Sequence, residues 1–269
     1  MTAERSYTEI SSTIDGDVEI VRIERPEARN ALTHTTYAEL ADAVSSTTAR
    51  CLVITGADPA FCSGDDVKQV MLAAGDTASK RREGGDGGGD VTRGLTPAAG
   101  VLLRTDVPIV AAVNGAAVGW GMELAIMADL RVASERARFG ELFVKRGLCC
   151  DVAGIARLAQ LVGRERATEL LLTGRLVDAD EAASIGLVSR VVPHDDLLGA
   201  ATELARSIAA NPPLAVRALK RGLQLALDPD WDELGSWVSG SLNELFATED
   251  HREGVAAFLE KREPTYVGR

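Results

Sequence analysis

Two stretches of the chain, AFCSGDDVK at residues 60–68 and NGAAVGWGMELA at 114–125, share a layout that can stabilise negative charge on a ligand. Each follows a run of β-forming residues, CLVITG in one case and VPIVAAV in the other, then turns on small residues and opens a helix. Glycine lets the main chain turn tightly and approach a ligand closely. The first helical turn leaves N–H groups without intrahelical acceptors, and the peptide dipoles favour an anion there. Two such turns facing one another would grip a carbonyl oxygen from both sides, forming an oxyanion hole. Each turn taken singly also fits an ordinary strand-to-helix connection.

Chemistry at such a site needs a group that moves protons. Glu123 lies three residues beyond Trp120 on the same expected helix, so the two share a face. Its neighbours in GWGMELAIMA are apolar, and desolvation of that kind raises a carboxyl pKa. The alternative is a buried glutamate held in a structural pair. Asp151, in GLCCDVAG, precedes another expected helix, where an aspartate serves as an N-cap. The four cysteines (Cys51, Cys62, Cys149, Cys150) and three histidines (His34, His194, His251) lack the repeated close spacing of a zinc site. Adjacent Cys149 and Cys150 are poor disulfide partners. Free, mostly buried thiols and no metal are expected.

The elements that must position these groups alternate. Strand patterns at 18–25, 50–56, 107–115, 129–134 and 187–192 are separated by helical patterns near 34–48, 65–73, 119–128, 153–160 and 163–173. That is an α/β fold with parallel pairing. From about residue 195 four helical segments follow one another, at 195–209, 212–227, 230–246 and 248–262, and no strand pattern returns. The chain therefore divides into an α/β core over 1–194 and a helical region over 195–269 suited to packing on a neighbour. Residues 75–97, centred on RREGGDGGGD, bury little apolar surface and read as a mobile loop, either a surface insertion or a flap over the site.

The net charge of −11 disfavours a nucleic-acid partner, which needs clustered Lys and Arg. It leaves room for an anionic small molecule at a local basic rim. No apolar run is long enough to span a bilayer and MTAERSYTEI has no signal-peptide core, so a cytoplasmic protein without membrane contact is expected.

Six motifs in order along nearly the whole chain resemble the enoyl-CoA hydratase/isomerase (crotonase) family. They are ERPEARNAL, AFCSGDDVK, PIVAAVNGAAVGWGMELAIMADLRVA, FGELFVKRGL, TGRLVDADEAASIGLVSRVV and HREGVAAFLEKR. The resemblance implies a spiral of ββα units followed by a helical trimerisation region, with a trimer or hexamer as the assembly. It implies that the backbone N–H groups of Asp65 and Trp120 hold the thioester oxygen of an acyl-CoA. Arg25, Ala28, Arg29, Asp65, Asp66, Val67 and Lys68 would line the coenzyme A site, although a solvated turn also accounts for the two arginines. Met71, Trp120 and Phe143, with the 75–97 loop, would wall the acyl chain. Coenzyme A is part of the substrate, so no further cofactor is implied.

The chain departs from the family pattern at two places. Trp120 stands where the family carries Gly, either lining the pocket or packing beneath it. Glu123 matches the first hydratase glutamate, but Phe143 occupies the position of the second, and Glu141 is two residues too early and is expected to be structural or at the pocket rim. Asp151 matches the position of a catalytic aspartate in dienoyl-CoA isomerases. The resemblance thus implies an enolate-stabilising enzyme acting through Glu123 and Asp151. Hydration of enoyl-CoA is the first expectation, double-bond isomerisation the second, and non-catalytic acyl-CoA binding the third.

Overall fold

The computed structural model describes residues 6–71 and 95–269. Two sheets carry the fold. The first has six strands in the order β1 (Ile10–Asp15), β2 (Val18–Ile23), β3 (Cys51–Gly56), β5 (Ile109–Val113), β7 (Leu130–Ser134) and β10 (Arg190–Val192). Its first pair is antiparallel and the remaining pairs are parallel. The second has four short strands, β4 (Ala60–Cys62), β6 (Ala116–Val118), β8 (Arg138–Gly140) and β9 (Val177–Asp178), in that order.

Parallel strands buried on both faces need apolar residues at every position. In β3 all six residues are buried, and alternate ones point opposite ways. Leu52 and Ile54 join the main core with Ile23, Ile109, Ala111 and Val113. Cys51 and Val53 join Val18, Val110, Ala112 and Val132 on the other face, where Leu197, Ala201, Ala205 and Ala209 of helix α7 (Leu197–Ala209) cover them. The composition change at residue 195 is therefore not a break in packing, because the helix that follows it closes one face of the sheet. The small alanines at four-residue spacing let that helix lie close.

Helices α1 (His34–Ser46) and α2 (Pro97–Arg104) pack on the other side, both started by threonine caps. Thr33 accepts from the amides of Thr35 and Thr36, and Thr96 accepts from Ala99. Residues 75–94 of the expected loop lie outside the described residues. Its far end is corrected, since Pro97 already occupies the first turn of α2, a position that suits proline. The helix expected over 65–73 is a π-helical turn at Val67–Met71. Downstream of the site come α3 (Trp120–Met127), α4 (Val152–Val162), α5 (Arg164–Thr173) and α6 (Ala179–Ser184). After α7 the chain closes with α8 (Pro213–Leu227), α9 (Trp231–Phe246) and α10 (Glu249–Glu260). Among the described residues no helix is long and apolar enough to cross a membrane. All four cysteines are free, and Cys149 is partly exposed while the other three are buried.

Candidate active site

The two donor turns are neighbours because the strands before them are. Strands β4 and β6 pair in parallel, and each runs into a glycine of positive φ, Gly64 at 89° and Gly119 at 55°. A Cβ on Gly64 would lie 2.9 Å from the carbonyl oxygen of Val118 and 3.3 Å from the amide nitrogen of Trp120. A Cβ on Gly121 would lie 2.0 Å from the carbonyl oxygen of Cys62, so α3 starts hard against β4.

Asp65 forms a parallel bridge with Leu32, in which Leu32 donates to Gly64 and accepts from Asp66. In that pattern the amide of Asp65 itself faces away from Leu32. Trp120 opens α3, so its amide has no intrahelical acceptor. Among the described residues neither amide has a backbone acceptor. Asp65 and Trp120 also line two cavities in common, one of about 630 Å³ and one of about 450 Å³.

The carboxyls gather around the first turn of α4. Asp151 caps it, with Oδ1 accepting from the Val152 amide at 2.7 Å, while Oδ2 accepts from the Trp120 indole at 3.0 Å. Oε2 of Glu123 accepts from the Gly154 amide at 2.9 Å. A Cβ on Gly154 would meet Oε1 of Glu123 at 2.7 Å, so the approach of carboxyl to helix needs glycine there. Both readings of Asp151 from sequence are compatible with this geometry, for it caps a helix and also lines the 450 Å³ cavity. Glu123 is fully buried and lines none of the cavities described here.

Burial raises all three neighbouring carboxyls. It pushes Glu123 well above the carboxylate range, helped by the charges of Glu141 and Asp151, and pushes Glu141 up by burial and then Asp151's charge. Asp151 is raised by burial as well, but the Val152 amide and the Trp120 indole oppose the shift. Backbone donors oppose the shift of Glu123 too, but its carboxyl is raised further than that of Asp151. The environment thus favours the neutral form of Glu123 more strongly than that of Asp151.

Tyr37 and Arg146 are further site residues that sequence reasoning did not single out. The Tyr37 hydroxyl donates to Oδ1 of Asp65 at 2.5 Å, and its ring meets the Trp120 ring edge-on with centroids 4.7 Å apart. Nothing in the local sequence marks that tyrosine, which sits in an ordinary helical pattern. Arg146 lines the 630 Å³ cavity beside Phe258 and Leu259, its guanidinium 4.6 Å from the Phe258 ring centroid. A basic residue inside FGELFVKRGL was the available signal.

The expected coenzyme A residues divide. Ala28, Arg29, Asp65, Asp66 and Val67 line the 630 Å³ cavity. Arg25 does not, because its guanidinium turns inward to the Ala31 carbonyl oxygen, Glu9 and Asp66. The side chains of Lys68 and Met71 lie outside the described residues. Phe143 lines both cavities. Glu141, expected to be structural or at the pocket rim, is 1% exposed and lines a third cavity, of about 590 Å³, with Phe143, Leu148 and Cys150. Among the described residues no group of three His, Cys, Asp or Glu side chains is arranged to hold a metal ion.

Burial raises the Asp65 carboxyl to about 6, with Tyr37's hydrogen bond opposing and Asp151's charge adding. A folded carboxyl that keeps its proton after the unfolded chain has released its own loses stability as pH rises from the unfolded value to the folded one. Stability is therefore expected to fall between about pH 4 and pH 6. Thermal midpoints across that range should change less in Asp65→Asn than in the wild type.

The profile of the enoyl-CoA hydratase/isomerase family matches residues 13–269. The crotonyl-CoA hydratase of Syntrophomonas wolfei is 35% identical over 269 residues, covering 98% of this chain and 100% of that one. The crystal structure of an enoyl-CoA hydratase/isomerase from Pseudoalteromonas atlantica superposes with a TM-score of 0.83 at 29% identity, covering 97% of this chain and 100% of that one. A monofunctional enoyl-CoA isomerase from M. smegmatis gives a TM-score of 0.66 at 31% identity, covering 82% of this chain and 95% of that one. With two donor turns on paired strands and a carboxyl cluster beside them, the chain belongs to the enoyl-CoA hydratase/isomerase family.

Proposed function

We propose that this protein adds water across the double bond of 2-enoyl-CoA thioesters. The observation that carries this reading is the anchoring of two carboxyls, Asp151 and Glu123, on the first turn of α4. Beside them stand two backbone amides without backbone acceptors.

The thioester oxygen takes hydrogen bonds from the amides of Asp65 and Trp120. As water attacks Cβ, electrons move through the double bond onto that oxygen, and the two donors hold the resulting enolate. The Asp151 carboxylate takes a proton from the water as its oxygen bonds to Cβ. Glu123 gives its proton to Cα, and the proton held by Asp151 then passes to Glu123. The product carries hydrogen at Cα and hydroxyl at Cβ, and both carboxyls are restored. The 450 Å³ cavity, walled by Trp120, Phe143, Leu148, Leu242 and Phe246, suits the acyl chain. The 630 Å³ cavity suits the coenzyme, with Arg29 and Arg146 as its cations.

Loss of the conjugated absorbance of crotonyl-CoA tests this reading, and a pure protein that leaves the absorbance unchanged overturns it. One observation favours isomerisation as a second reading. Of the two carboxyls, Asp151 lines the acyl cavity and Glu123 does not, and a single carboxyl suffices to carry a proton from Cα to Cγ or back. A 3-enoyl-CoA would then gain conjugated absorbance while crotonyl-CoA stays intact. Binding of acyl-CoA with neither change would mark a non-catalytic binder.

The same reading includes self-association as a trimer, or a hexamer built from two. On α8, Leu219, Leu223 and Leu227 recur at four-residue spacing and are 70%, 61% and 58% exposed. The helix is fixed to the core by Lys220, whose ammonium donates to Asp129 and to the Val107 carbonyl oxygen. An exposed leucine stripe of this kind marks an interface. Light scattering at micromolar concentration should give three or six times the chain mass, and a monomer would contradict it.

A further inference from the structure

The two donors that hold Asp151 come from different parts of the chain. The Val152 amide at Oδ1, 2.7 Å away, makes a local capping bond of the kind open to any aspartate that starts a helix. The Trp120 indole at Oδ2, 3.0 Å away, reaches across from the first residue of α3. One bond alone leaves a carboxyl free to turn about it, and the second fixes its plane. The indole is itself held, for Trp120 is 4% exposed and the Tyr37 ring meets it edge-on at 86°. Asp65, Trp120 and Asp151 all line the 450 Å³ cavity. One residue thus carries both a main-chain amide of the donor turns and the side-chain N–H that grips the carboxyl.

We propose that Trp120 is a positioning residue for the reaction, its indole N–H holding the Asp151 carboxylate in a fixed place relative to the donor turns. A hydrogen bond to a carboxyl is strongest when the carboxyl is ionised. The indole therefore opposes the upward push of burial on Asp151, and the base is ready at a lower pH than it would be without that bond. The other titratable groups facing Asp151 are Tyr37 of α1, Asp65 of the first donor turn, Glu123 of α3, Glu141 beyond β8, and Cys149 and Cys150 in its own segment. His34 of α1 lines the same cavity, and α9 brings to it the apolar Leu242 and Phe246.

This inference rests on Asp151 as the base, which Asp151→Asn tests by itself, since wild-type turnover in that variant overturns the base and the indole's role together. The indole is tested on two readouts. One is the titration of the Asp151 carboxyl carbon by NMR, its signal identified by its loss in Asp151→Asn. The other is the acid limb of kcat/KM, on crotonyl-CoA or a 3-enoyl-CoA, whichever is turned over. Trp120→Phe removes the N–H and keeps an aromatic ring, and is expected to move both upward by about one pH unit. Trp120→Gln, whose Nε2 stands as many bonds from the main chain as the indole Nε1, is expected to return both toward the wild-type position. Should the phenylalanine variant not fold, Trp120→Met carries the same comparison. An unmoved Asp151 titration in the phenylalanine or methionine variant, or an equal shift in the glutamine variant, overturns the proposal. If Asp151→Asn also loses turnover in that case, the base assignment stands without the indole.

Discussion

Glu123→Gln is expected to lower kcat on crotonyl-CoA by ~10²–10⁴-fold with little change in KM, the range for removal of a group that transfers a proton in the transition state. The substitution keeps the side chain's length and its acceptor for the Gly154 amide, so the first turn of α4 stays anchored. What it removes is the proton that the proposed mechanism delivers to Cα. Asp151→Asn should have a comparable effect on kcat by a different route. An amide cannot take a proton from water, and its NH₂ group would face one of the two donors aimed at the carboxylate oxygens, the Val152 amide at Oδ1 or the Trp120 indole at Oδ2. The pair is best compared with binding of a saturated acyl-CoA measured alongside. If Glu123→Gln retained kcat within a few-fold while Asp151→Asn lost it, Asp151 would be acting as base and acid by itself, as the isomerase reading requires.

Gly64→Ala is the second large effect expected. A backbone donor cannot be deleted by exchanging its side chain, but it can be crowded. The added methyl would stand 3.3 Å from the Trp120 amide nitrogen and 2.9 Å from the Val118 carbonyl oxygen, inside the space between the two donor turns. The φ of 89° adds strain of about 1–3 kcal/mol for a residue with a side chain. The turn must shift, and losing the alignment of one donor costs ~10²–10³ in kcat. Turnover and thermal midpoint should be measured together, since a fall in kcat well beyond what the loss of stability predicts separates crowding from unfolding. A variant with wild-type kcat would mean that the oxyanion is held elsewhere.

The large central strands and most helices were legible because their signals are local. Runs such as CLVITG and VPIVAAV are long, β-branched and apolar, and they became β3 and β5 nearly as read. Helix starts followed their capping residues, Asp230 before α9 and Thr248 before α10. The second sheet was not legible. Its strands span two or three residues inside segments rich in small residues, and their pairing is wholly non-local. For the site, sequence singled out the two glycine turns, Glu123 and Asp151, which sit in dense motifs, and the structure brings them near one another. The sequence did not reveal that Arg25 spends its charge on Glu9 and Asp66. Nor did it place Glu141 in the interior, because the burial of that carboxyl follows from the register of β6 against β8.

The pairing of β4 with β6 has a consequence for how such a site withstands sequence drift. Neighbouring strands lie ~4.8 Å apart whatever their side chains, because that spacing is a property of the peptide hydrogen bond. The two turns leave adjacent strands in the same direction, so their separation is gauged by the main chain itself, including the irregularity between Ala60 and Cys62 in that pairing. Side chains around them can be exchanged, with tryptophan at position 120 as the example, while the gauge between the amides holds.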